Sequence, residues 1–326
     1  MSVITKIFDT SAVKDVHFII GAPRSGTTWL QYSLNLHPQV FCAENRFFGN
    51  FAEMWPDNNG AYSVRITLDE YIQRHSHQVP VNAAGSTIGK YQDLLLTNMI
   101  KATVKTIRQI SGKKYLIDKI TPYLGTSDRV VEQIFTRFPS AKLVYLARDG
   151  RDVLTSGTFD WLKKDAEGTD RHRYFIMKER NFTLRRFFDD ELIALWSRYW
   201  TEPYQALVDS RHAYLQIKYE QMLETYANVF GSVLKYFDIG CTAEQISKCE
   251  QLSDYQVMSG GRVRGENSIA EKQRKGIAGD WRSYFTRRDG LLFQELAGKQ
   301  LQALGYVHGP EWTDALPDRL DLTPLN

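Results

Sequence analysis

Between Gly21 and Trp29 the chain reads Gly-Ala-Pro-Arg-Ser-Gly-Thr-Thr-Trp. Two glycines at this spacing, after the apolar run Val16 to Ile20 and before the helical pattern Thr27 to Leu36, suit a turn whose backbone N–H groups cradle a phosphate. A nucleotide-hydrolysing loop continues Gly-Lys-Ser/Thr, with the lysine on the terminal phosphates and the hydroxyl on Mg²⁺. Here Gly26 is followed by Thr27 and Thr28, and the cation, Arg24, lies inside the loop. Ser25, Thr27 and Thr28 supply hydroxyl donors and Trp29 a flat face on which a base can stack. That set suits one phosphate and no metal. The bland alternative is a Gly/Ser turn that caps a helix, with Trp29 in the core.

Two further stretches pair cations with sharp turns. The run Lys142 to Trp161, KLVYLARDGRDVLTSGTFDW, reads as a strand, a turn at Arg148 and a helix that carries Ser156. Taken alone, Arg148 reads as a strand-end arginine paired with Asp149 or Asp152. Arg274-Lys275-Gly276, followed by Gly279-Asp280-Trp281, sets two basic side chains beside a turn in which glycine lets N–H groups approach a dianion.

Taken together, these stretches resemble the PAPS-dependent sulfotransferase superfamily, where PAPS is 3′-phosphoadenosine 5′-phosphosulfate. PRSGTTW resembles that family's 5′-phosphosulfate loop, the Arg148 to Ser156 stretch its 3′-phosphate segment, and RKGxxGDW its C-terminal phosphate element. The resemblance implies an α/β fold with a central parallel sheet flanked by helices. It implies PAPS as co-substrate, bound by Arg24, Ser25, Gly26, Thr27, Thr28, Trp29, Arg148, Ser156, Arg274, Lys275 and Gly276. Many cytosolic members carry lysine where this chain has Arg24. An arginine does not give up its proton, so its role here would be electrostatic. Tyr219, and Ser253 to Tyr255 with Met258, match segments that border adenine in the family, and either could equally be packing.

The acceptor side departs from the cytosolic pattern. Those members place a catalytic histidine in a Lys-Thr-His run, whereas the comparable place here reads Asp118-Lys119-Ile120-Thr121-Pro122. Upstream, HPQVFCAENRFF resembles the HP…Glu-x-Arg segment of tyrosylprotein and carbohydrate sulfotransferases, whose glutamate is the base. The resemblance implies Glu44 as general base, with Arg46, Phe47 and Phe48 toward the acceptor. It also implies that Lys119 neutralises the bridging oxygen or the acceptor. Phe41, Phe47 and Phe48 would partly desolvate Glu44 while Arg46 opposes that effect; the alternative is a plain Glu44–Arg46 ion pair. His37, before Pro38 at a helix end, is a reserve base that reads as structural, and His17 reads as a core residue.

The elements that must position these groups are legible as strands at Val16 to Ile20, Tyr115 to Lys119, Lys142 to Ala147 and Ala213 to Lys218, alternating with helical patterns. Such alternation predicts a parallel sheet covered on both faces. One domain over residues 1–326 is expected. It would hold a helical insertion at 47–114, whose apolar face is Met99, Ile100, Val104, Ile107 and Ile110, and mobile substrate-side segments at 163–190 and 260–279.

A net charge of +3, from 41 Lys and Arg against 38 Asp and Glu, is too small for a general nucleic-acid binder. Three cysteines without metal-ligand spacing point to a reduced, cytoplasmic protein with no metal site. No stretch approaches the roughly 18 consecutive apolar residues of a membrane span, and the N-terminus lacks a cleavable leader pattern. The expected acceptor is a small-molecule, lipid or carbohydrate hydroxyl, and oligomeric state is open. A P-loop kinase would need the missing loop lysine. A nucleotide-binding module without chemistry would need neither Glu44 nor Lys119.

Overall fold

The computed structural model describes residues 14–44, 86–166, 186–266 and 274–321. Its centre is a five-stranded parallel sheet in the order β2-β3-β1-β4-β5, formed by β1 (Val16–Ile20), β2 (Val40–Glu44), β3 (Tyr115–Ile120), β4 (Leu143–Ala147) and β5 (Leu215–Lys218). Every residue of β1, β3 and β4 is buried. Such near-continuous apolar runs are what a strand covered on both faces requires.

Side chains alternate across the sheet, so each face has its own apolar cluster. Val16, Phe18 and Ile20 of β1 join Leu116, Tyr145, Phe138 and Trp200 on one face. Ile19 joins Ile117, Val144, Leu30 and Phe230 on the other. His17 belongs to that second face, stacked on Phe237 with ring centroids 5.0 Å apart, and it accepts a hydrogen bond from Lys142 N–H.

Helices α1 (Thr27–Asn35), α2 (Ser86–Ser111), α3 (Ser127–Arg137) and α4 (Gly150–Ala166) alternate with the first four strands. Helix α5 (Asp190–Ser210) precedes β5; after it come α6 (Tyr219–Glu224), α7 (Tyr226–Tyr236), α8 (Ala243–Leu252), the single turn α9 (Tyr255–Met258) and the long α10 (Arg287–Ala303). Because β1 leads to β2 and β3 on one side and to β4 on the other, the chain reverses direction across the sheet at β1. The carboxyl end of β1 is therefore where ligands of an open α/β sheet collect.

Three expectations need revision. Strand β2 was not anticipated: a five-residue outer strand that follows His37-Pro38 directly and ends in Cys-Ala-Glu carries too little strand signal. Ile100 and Val104 are buried and Ile107 packs on the core, but Ile110 is 82% exposed, because the last turn of α2 projects past the packed surface. Arg186, Phe187 and Phe188, within the segment expected to be mobile, are buried, and Arg186 pairs with Asp289 and Asp190. Insertion residues 45–85, the stretch 167–185 and residues 267–273 lie outside the described residues. Among the described residues, no helix is long and apolar enough to cross a membrane.

Candidate active site

The loop between β1 and α1 is held open by two left-handed residues, Arg24 at φ 67° and Gly26 at φ 91°. Gly26 is the N-cap of α1, no side chain caps the helix, and its first turn has no acidic residue. The N-terminal N–H groups and the positive end of the helix dipole are thus presented to an anion. A Cβ at Gly26 would come within 2.5 Å of the Tyr219 ring, so glycine is required both by φ and by the neighbour.

Arg148, at the carboxyl end of β4, ties this loop to the C-terminal element. Its guanidinium donates to the carbonyl oxygens of Arg24 at 2.9 Å and Ile277 at 3.0 Å, and lies 4.3 Å from the centre of the Tyr219 ring. From α4, Ser156 Oγ accepts from Arg24 Nε at 3.2 Å, and Asp160 pairs with Arg24 Nη1 at 3.3 Å. Asp152, on the same helix, accepts from the N–H groups of Gly279 at 2.7 Å and Trp281 at 3.0 Å, latching the C-terminal turn onto α4. Burial pushes the Asp152 carboxyl up to about 6 even though Arg148 pulls the other way.

In that turn Arg274 and Lys275 both pair with Asp280, Lys275 at 2.7 Å. Gly276 adopts φ 67°, and a Cβ there would come within 2.3 Å of Tyr255. Arg24 is pulled below its ordinary pKa range, first by burial and further by the charges of Arg148 and Arg274, with Asp160 opposing. Three like charges gathered around partly buried space call for a polyanion.

The resulting cleft opens to solvent. Arg24, Gly26 to Trp29, Arg148, Ser156, Tyr219 and Arg274 to Gly276 all line it, so segments far apart in sequence meet at one cleft. Ser25 lies just beneath, almost fully buried. Ser253, Tyr255 and Met258 line it too, and so do two residues that the sequence did not single out, Arg264 and Ile277. Arg264 donates to Gly276 O at 3.0 Å, pairs with Asp254, and lies 5.5 Å from the ring centres of both Trp29 and Tyr255. Its only sequence signal was a second arginine in the Gly-Arg stretch Gly260 to Gly265.

Glu44 ends β2 and is the register partner of Lys119 on β3. The Lys119 ammonium donates to Glu44 Oε1; the lysine side chain is 2% exposed and the glutamate side chain 43%. Neither residue is among those lining the cleft. Lys119 sits beside Ile19, at the carboxyl half of β1 that feeds the phosphate loop. Arg46, Phe47 and Phe48 lie outside the described residues, and the partner that Glu44 shows is Lys119.

His37 and His17 have structural duties. His37 contacts Gly240 O through Nε2 at 3.1 Å and accepts from Gln39 N–H. Burial lowers the His17 pKa to about 4, which keeps the ring neutral. Among the described residues, no group of three or more His, Cys, Asp and Glu side chains is arranged to hold a metal.

Comparison with known proteins places this geometry. Human sulfotransferase 2A1 is 23% identical over 273 residues, covering 74% of this chain and 90% of that protein. Mouse sulfotransferase 2A6 is 25% identical over 190 residues, spanning 54% of this chain and 62% of the relative. The crystal structure of mouse sulfotransferase SULT7A1 complexed with PAP superposes with a TM-score of 0.51 at 14% identity, over 88% of this chain and 85% of that one, and so shares the fold. The family model described as the sulfotransferase domain matches residues 14–305, taking in the phosphate loop, the Arg148 segment and the Arg274 turn alike. Matched along nearly its whole length in this way, the chain, a parallel sheet with a glycine loop at its switch point, belongs to the sulfotransferase domain family.

Proposed function

We propose that the chain transfers the sulfuryl group of PAPS to the hydroxyl of a small-molecule, lipid or carbohydrate acceptor, releasing PAP and a sulfate ester. The observation that carries this reading is the convergence of Arg24, Arg148 and Arg274 on one cleft beside an uncapped helix N-terminus. A donor with two phosphate groups matches several cations gathered on one cleft from separate segments. The residues present fit it. Ser25 Oγ, Arg148 Nε and Trp29 Nε1 are buried without hydrogen-bond partners among the described residues, and the cleft flanks two glycine cradles.

In this reading Arg24 and the N–H groups at the start of α1 hold the 5′-phosphosulfate, and they stabilise charge as it grows on the departing phosphate oxygen. Arg148, Ser156, Arg274, Lys275 and Gly276 hold the 3′-phosphate. Trp29, Tyr219 and Tyr255 border the base. In-line transfer then requires a base opposite the leaving group. Glu44 takes the acceptor hydroxyl's proton, and Lys119 offsets charge at the transferred group. The Lys119–Glu44 pair supports this assignment, because it fixes the carboxylate at the carboxyl ends of β2 and β3, two strands from the loop that β1 feeds.

Incubating the protein with ³⁵S-labelled PAPS and a panel of phenols, sterols and sugars tests the reading. Transfer of label to at least one hydroxyl, without added metal, is expected. Tight PAP binding with no transfer to any class would favour a binding module instead.

A further inference from the structure

Asp160 stands one turn beyond Ser156 on α4, so the two side chains share a helix face and both reach the loop arginine. The Arg24–Asp160 pair spans 3.3 Å, with the side chains 17% and 18% exposed. A carboxylate in this place is at odds with a site built for a polyanion, since it repels the ligand that the surrounding cations attract. Its value lies in the donor-free protein. Arg24 is depressed by burial and by two neighbouring arginines, and Asp160 is the foremost group opposing them.

We propose that Asp160 is a positioning residue, the resident counter-ion of Arg24. It holds the guanidinium when the donor is absent and yields it to the 5′-phosphosulfate when the donor arrives. After transfer it competes with the 5′-phosphate of PAP for the same guanidinium and so favours product release. The proposal rests on the PAPS reading of the cleft.

The test is a double-mutant cycle of Asp160→Asn with Arg24→Ala, read by calorimetric titration with PAP and with adenosine 3′-monophosphate, which lacks the 5′-phosphate. Asp160→Asn should bind PAP about three- to fivefold more tightly, the scale of a partly exposed ion pair. Its affinity for adenosine 3′-monophosphate should not change, and the gain should vanish in the Arg24→Ala background. Asp160→Ser serves as a second variant and should behave alike. Unchanged or weaker PAP binding overturns the proposal. Equal tightening of both ligands, or a gain that survives Arg24→Ala, also overturns it, since either marks a diffuse charge effect. A native protein that binds no PAP overturns the donor reading itself, and the proposal falls with it.

Discussion

Glu44 and Lys119 are cross-strand neighbours whose environments differ sharply: the ammonium is buried and the carboxylate is nearly half in water. An accessible carboxylate can meet an acceptor, while a buried ammonium keeps its charge only beside a compensating anion. Replacing Glu44 by Gln keeps the shape and removes the proton acceptor. Turnover of Glu44→Gln should fall about 10²–10⁴-fold, the usual contribution of a positioned base, with PAP affinity little changed. Paired kinetic and binding measurements separate the two effects, and a variant that turns over normally would remove Glu44 from the mechanism.

At the scale of elements, the loop between β1 and α1 depends on a left-handed Gly26 packed against Tyr219. Gly26→Ala must strain φ and push the ring of Tyr219, itself stacked on Arg148. A stability loss of about 1–3 kcal/mol in urea unfolding is expected. PAP affinity should drop with it, because the same shift disturbs Arg148. Unchanged binding by this variant would mean that the loop is not the anion cradle.

Most of this layout was legible in the sequence, because the runs VHFII, YLIDKI and LVYLA are largely apolar and end at Gly21, Thr121-Pro122 and Arg148, where the chain turns out of the sheet. Arg24, Arg148 and Arg274 were legible as motif positions. Strand β2 was not, since VFCAE is short, outermost and polar at its end. Arg264 and Asp160 were illegible for a different reason. Their roles come from tertiary contacts, with Trp29 and Tyr255 for one and with Arg24 for the other, and nothing in their local sequence separates them from surface charges. Arg186 looked like part of a solvated run until Asp289, distant in sequence, answered its charge.

For the whole molecule, one contribution to pH dependence comes from His17, a buried residue of β1 stacked on Phe237. Burial, the leading cause, lowers its pKa from 6.5 to about 4 in the folded protein. Between those values the unfolded chain binds the proton and the native one does not, so the His17 contribution to stability falls as pH drops from about 6.5 toward 4, against an opposite contribution from Asp152, whose carboxyl is pushed up to about 6. The full loss is about 3 kcal/mol by linkage. His17→Asn, which keeps an acceptor for Lys142 N–H, should lose less stability than the native protein between pH 6.5 and 4 in a urea-unfolding pH profile. A slope identical to that of the native protein would assign the acid sensitivity elsewhere.

The sheet brings together three segments that could not form a site alone, and the central claim is that they form one site for a nucleotide with phosphates at both ends. The most direct measurement is calorimetric titration of the native protein, without metal, with PAP, 5′-AMP and ADP. One PAP site is expected, at least tenfold tighter than 5′-AMP, as about 1.4 kcal/mol or more from the 3′-phosphate contacts implies, and tighter than ADP. Equal affinity for PAP and 5′-AMP, or preference for ADP with Mg²⁺, would contradict it.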